Sequence, residues 1–141
     1  MENFDLNKIS TKNLKKIDLK DGNVFHFLKK REKSFSKFGE AYFSFIKYKK
    51  IKAWKKHNKM TMNLAVPVGL VKFVFCEIKK NKFREIIIGE KNYKRITVPP
   101  KVWFGFQGLS KNQSLIINFA NIEHSKKEVE KMNLDEIKYK W

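Results

Sequence analysis

One cysteine, three prolines, six glycines and three arginines are all that 141 residues hold of these types. A single thiol excludes a disulfide framework, so Cys76, in the apolar run VKFVFC, is expected as a buried, reduced core residue suited to the cytosol. The three histidines stand apart at 26, 57 and 124, with no His-x-His pair and no second cysteine, a pattern that speaks against a metal centre. No metal and no cofactor are expected. The longest uncharged apolar run, Leu64 to Val71, is far shorter than the roughly 20 residues that cross a bilayer. The opening MENFDLNKIS has no apolar core of a secretory leader, so the expectation is a soluble, cytoplasmic protein without a membrane partner.

Acidic residues are also scarce, 14 against 32 basic ones, for a formal charge of +18. Such a charge ordinarily suggests nucleic acid. Yet 29 of the 32 are lysine, whereas base readout leans on the arginine fork. Lys, Ile, Asn and Phe, all abundant here, share A/T-rich codons, so coding composition accounts for much of the charge and no nucleic-acid partner is expected. With 42% hydrophobic residues the chain can bury a core, and its length fits one domain spanning 1–141, with residues 1–12 a loose arm or a short edge strand.

What is plentiful is phenylalanine, thirteen of them, distributed in short alternating runs. LKKIDLKDGNVFHFL alternates around Asp21-Gly22, as a hairpin does. AYFSFIKYKK, the run from Leu70 to Ile78, FREIII, YKRITV, KVWFGFQGLS and SLIINFAN read as further strands, separated by KKNK, GEKN and Pro99-Pro100. VPVG and TVPP mark strand ends, and the two proline corners are expected on one rim. HSKKEVEKMN alone reads as a short C-terminal helix, capped by Ser125 with Glu128 as its capping-box partner. Eight to ten strands without βαβ alternation predict an all-β fold, an antiparallel barrel or double-sheet jelly roll.

The stretch from Lys50 to Gly69, KIKAWKKHNKMTMNLAVPVG, carries the densest chemistry. Strict strand alternation puts Lys52, Trp54 and Lys56 on one side and Ala53, Lys55 and His57 on the other. A charged rim then feeds MTMNLAVPV, a central strand, which is how a β-barrel presents a pocket mouth. His57 has the better-poised base near 6.5, while Lys55 could serve if its lysine neighbours lower its pKa. Trp54, Trp103 and Tyr93 are candidates for stacking on a base or sugar, although an aromatic in a sheet is more often core. His124 reads as a solvated loop residue.

KFGEAYFS, IKAWKKH, MNLAVPVG, GEKNYKRITVPP, VWFGFQGLS and the terminal YKW, in that order, resemble the dTDP-4-dehydrorhamnose 3,5-epimerase family of cupin-type jelly rolls, in particular its shorter sugar-biosynthesis relatives. The match runs from about Lys37 to Trp141. It implies a homodimeric, cofactor-free, cupin-like jelly roll whose barrel mouth holds a dTDP-4-keto-6-deoxy sugar and moves a proton next to the ketone. The family's phosphate-binding Arg and base His fall on Lys52 and Lys55, with Ala53 and Trp54 between them. Its second His falls on Phe104, its acid Tyr on Ile117, give or take one residue, and the Asp paired with the His on Asp135 or Glu136. The resemblance therefore implies a nucleotide-sugar epimerase or isomerase with an altered acid/base set: His57 and Lys55 as catalytic candidates, Lys52 and Trp54 for substrate binding. The alternative is a non-catalytic nucleotide-sugar-binding or assembly protein that keeps the fold.

If the charge is largely compositional, binding to random-sequence DNA in a filter or mobility assay should be weak and should fade with added salt as counterions compete. Tight, salt-resistant, sequence-selective binding would overturn that reading.

Overall fold

The computed structural model describes residues 4–141. In chain order the strands are β1 (Ser10–Asn13), β2 (Lys16–Ile17), β3 (Val24–Phe25), β4 (Glu40–Ile46), β5 (Ile51–His57) and β6 (Met62–Val68). They continue with β7 (Leu70–Glu77), β8 (Lys82–Gly89), β9 (Lys94–Val98), β10 (Trp103–Gly108), β11 (Ser114–Ala120) and β12 (Val129–Lys131). Two five-stranded antiparallel sheets, β1-β9-β6-β11-β4 and β12-β5-β10-β7-β8, face one another as a cupin-type jelly roll, and β2-β3 form the small hairpin around Gly22. MNLAVPV lies at the centre of the first sheet because it is apolar at every position but Asn63 and buried from Met62 to Val66. It turns into β7 at Gly69, whose φ of +91° suits glycine and where a Cβ would come within 2.2 Å of Ser114 Oγ. Phe73, Phe75, Phe104, Leu64, Ile96 and Ile116 meet between the sheets as the core.

Three expectations are corrected. The segment after Ser125 is no helix but a single 3-10 turn, Lys126–Glu128, running straight into β12; Ser125 does accept the Lys127 N–H, but Glu128 turns inward instead of completing a capping box. The capping box that forms is the next one, Asn133 with Glu136. The proline corners lie at opposite ends: β6 pairs with β9 through Met62–Val98, so Pro99 follows the Met62 end and Pro67 sits at the other, beside a register shift in the β6–β11 pairing.

The third correction concerns β5. Phe104 opposes Lys55 while Gly105 opposes Ala53, which leaves Trp54 as the extra residue of a β-bulge. Directly opposed residues share a face, so Lys55 follows Phe104 and Lys52 follows Phe106 into the barrel. Strict alternation had separated these two lysines. Trp54 instead packs on the outside of the sheet against Val74, Cys76, Ile137, Tyr139 and Trp141, and its Nε1 donates to the Leu134 carbonyl at 3.1 Å. Gly105 clears this seat, since a Cβ there would meet Ala53 Cβ at 2.5 Å. Cys76, within this cluster, is buried and free, and burial pushes its thiol up to about 11.

The outer face of the first sheet is half covered by the excursion between β3 and β4. Arg95 of β9, 2% exposed, donates to the Phe27 carbonyl and Ser34 Oγ and pairs with Glu32 at 2.5 Å. Burial pushes the Glu32 carboxyl up, but Arg95 outweighs it and holds the group below its ordinary 4.5. A group depressed in the folded state stabilises above its unfolded pKa and loses that contribution as pH falls through 4.5 and below. Glu32→Ala, which strands a buried guanidinium, should cost about 3 kcal/mol in urea unfolding at neutral pH and much less in acid. Equal stability of variant and wild type at neutral pH would refute this role.

Candidate active site

A cavity of about 560 Å³ opens between the sheets. Its floor is apolar: Met62 and Leu64 from β6, Phe73 from β7, Phe104 and Phe106 from β10, Ile116 from β11. Its polar wall comes from β5, which contributes Lys52, Lys55 and His57, and from Lys131 at the end of β12. All four residues singled out in the sequence border it, Trp54 with its indole turned into the outer cluster.

His57 is 3% exposed, and its Nδ1 lies 2.5 Å from Glu128 Oε1. The other carboxylate oxygen accepts the backbone N–H groups of Lys59 at 3.1 Å and Met60 at 3.3 Å. Burial alone would push the Glu128 carboxyl up; the bonds from His57, Lys59 and Met60 outweigh it, and Glu128 stays ionised. On His57 burial is the larger influence and lowers the pKa below 6.5 against the pull of Glu128, so the ring is neutral at pH 7. A neutral imidazole facing an ionised carboxylate carries its proton on Nδ1, and Nε2 is the basic nitrogen, with no hydrogen bond among the described residues. Phe104 stacks on the ring at 6.1 Å and 19°, fixing its plane.

Lys55, half-buried, has Phe104 opposite it on one side and Lys131 on the other. Burial lowers its pKa first, and Lys131 and Lys52 lower it further, against a smaller opposing effect of Glu128. Lys52 donates to the Phe45 carbonyl at 2.8 Å, which ties the rim of β5 to β4. On the far wall Asn118 of β11 donates to Tyr42 Oη of β4 at 2.9 Å. Burial raises the Tyr42 pKa, with Glu40 and Glu128 adding to it and Asn118 opposing, so the phenol keeps its proton.

Other candidates lie elsewhere. Trp103 is on the outer face beneath Lys56, 5.3 Å from its ring centre, and Tyr93 packs on Phe25. His26 and His124 do not line the cavity. Ile117 points outward with Phe43, while the inward neighbours on β11 are Ile116 and Asn118. The carboxylate paired with histidine is Glu128, whereas Asp135 is exposed and Glu136 caps Asn133 at the cavity edge. Glu128, Lys131, Tyr42 and Asn118 were missed by sequence reasoning: capping-box spacing hid Glu128, and alternation on β4 and β11 was the one available signal for Tyr42 and Asn118. Among the described residues no group of three His, Cys, Asp or Glu is placed to hold a metal ion.

No protein-family model matches the chain, and no match was found among curated protein sequences. Solved structures do match. QdtA, a sugar 3,4-ketoisomerase from Thermoanaerobacterium thermosaccharolyticum in complex with TDP, superimposes with a TM-score of 0.75 at 17% identity, over 94% of this chain and 93% of that one. A dTDP-4-dehydrorhamnose 3,5-epimerase from Sulfolobus tokodaii gives 0.80 at 19% identity, over 98% and 84%. Both show the shared fold. A dTDP sugar isomerase from Desulfovibrio desulfuricans G20 is similar at the level of sequence too, with a TM-score of 0.88 and 31% identity over 94% of this chain and 90% of that one. With that identity over nearly the whole length of both chains, the chain belongs to the family of dTDP-sugar isomerases and dTDP-4-dehydrorhamnose 3,5-epimerases.

Proposed function

We propose that the cavity binds a dTDP-4-keto-6-deoxy sugar and moves a proton at the carbon next to its ketone. The observation that carries this reading is the His57–Glu128 pair on the wall of an apolar cavity with a cationic mouth. A proton next to a ketone is removed by a base of near-neutral pKa held in place, and Nε2 of His57 meets both conditions. Glu128 is a positioning residue: it fixes the tautomer and stabilises the imidazolium that forms when the proton arrives. Tyr42, protonated on the opposite wall, is the group that returns a proton from the other side. Lys52 and Lys131 at the mouth suit a diphosphate as point charges, without the bidentate geometry of arginine. A protein of the same fold was solved in complex with TDP, which supports a nucleotide as part of the ligand. His57, rather than Lys55, is the base, because only the histidine has a carboxylate to take up the charge it acquires.

Binding and chemistry should separate. Lys52→Ala should weaken binding of a deoxythymidine-diphosphate sugar by about 1–3 kcal/mol in calorimetry. His57→Gln should leave binding intact and reduce solvent-deuterium exchange at the sugar carbons by on the order of 100-fold or more. Tyr42→Phe should retain exchange but lose inversion. Because the folded His57 pKa lies below 6.5, exchange should fall as pH drops through that lowered value, whereas fold stability should already decline as pH falls from 6.5 towards it, since there the unfolded chain binds the proton more readily. Full exchange in His57→Gln sinks the assignment; binding by the wild type without any exchange would favour a non-catalytic binding protein.

The outer face of the first sheet suits a second copy of the chain. Phe43 and Phe45 of β4 and Val68 of β6 are 65%, 51% and 50% exposed, and Leu115 and Ile117 lie beside them on the same face. On a chain of charge +18 an uncharged apolar face is where two copies can approach without repulsion. Sedimentation should give a dimer, and Phe43→Lys a monomer; a monomeric wild type would refute the interface.

A further inference from the structure

Lys55 has a placement that a simple phosphate contact does not explain. It stands two residues before His57, on the same inner face. The cross-strand partner on β12 is another lysine, Lys131, and the bulge brings Lys52 in as the next inward side chain of β5. Like charges directly opposed on a sheet are destabilising. Among the described residues none of these three lysines forms an ion pair, whereas the outward Lys56 is paired with Glu130 at 2.8 Å. The carboxylates that reach the cavity are engaged: Glu128 with His57 and two backbone N–H groups, Glu136 with the Asn133 N–H. A half-buried primary amine thus sits without a counter-ion, between two cations and against the Phe104 ring. Burial and the neighbouring ammonium groups favour the neutral amine, and a neutral amine beside a ketone-binding cavity is a nucleophile.

We propose that Lys55 adds covalently to the ketone of the bound sugar and carries it as an imine, so that His57 removes the neighbouring proton from an iminium and not from a free ketone. The inference rests on the proton-transfer reading of this cavity. The Lys55 nitrogen lone pair forms the C–N bond as the carbonyl π pair moves to oxygen, which is protonated. Loss of water gives the C=N iminium. His57 Nε2 then takes the C–H proton, the C–H pair becomes the C=C of an enamine, and the C=N pair returns to nitrogen. Protonation at carbon restores the iminium, and the water molecule adds back as the C–N bond breaks to free the ketone. Nothing is oxidised or reduced, and the water released is regained. The iminium is a better electron sink than the ketone, so the neighbouring C–H proton is more easily removed.

The test uses the wild-type protein, a dTDP-4-keto-6-deoxy sugar and sodium cyanoborohydride at neutral pH, which reduces an iminium to a stable amine. Intact-mass and peptide mass spectrometry should find the sugar nucleotide joined, with loss of water and gain of two hydrogens, at Lys55. His57→Gln should keep the adduct, because imine formation precedes its step. Lys55→Arg, which keeps the charge, should lose both the adduct and deuterium exchange. Exchange by the wild type with no adduct at Lys55, or undiminished exchange in Lys55→Arg, overturns the imine and leaves the proton-transfer reading standing. An adduct at Lys55 without exchange upholds the imine and overturns that reading instead.

Discussion

Three hydrogen bonds converge on the Glu128 carboxylate, from His57 and from the backbone of Lys59 and Met60, and the arrangement of the site follows from them. A buried carboxylate without donors would take up a proton, and three donors keep it ionised. The Asn58 N–H also donates to the Glu128 carbonyl at 2.8 Å, so the turn after β5 is bound to the turn before β12 at both main chain and side chain. β12 is only three residues long and pairs with β5 alone. The Glu128 contacts hold it at the edge of the sheet, and with it Lys131 at the mouth of the cavity.

The bulge at Trp54 is the second constraint. Two inward lysines and an inward histidine at positions 52, 55 and 57 cannot share a face of a regular strand, because the spacing of three breaks the period of two. The extra residue has to go outward, and a tryptophan there is retained by burial: its ring meets Trp141 at 5.3 Å and Tyr139 edge-on at 6.3 Å, while the indole N–H is satisfied by Leu134. The last residues of the chain therefore act on the active side of the barrel without entering it. They set the register of β5 from behind.

Charge is the third. The inner lysines are few among 29, yet they differ from Lys56 in having no paired carboxylate among the described residues, and Lys55 is half-buried between the other two. In an apolar cavity each ammonium raises the cost of charging the next, which makes the site receptive to an anion at its mouth and makes the innermost amine the easiest to discharge.

The strands, their antiparallel class, the hairpin at Gly22 and the central place of MNLAVPV were legible in the sequence, because period-two alternation and glycine or proline punctuation are local signals. His57, Lys55 and Lys52 were legible as a cluster because they lie within six residues of one another. What the sequence could not show is which of them share a face: the bulge depends on Gly105 and on the packing of Trp54 against residues more than eighty positions away. Glu128 was hidden for the same reason. Its spacing from Ser125 satisfies a helix cap locally, and only the return of the chain along β5, with His57 and two bare backbone N–H groups waiting there, makes an inward carboxylate the lower-energy arrangement.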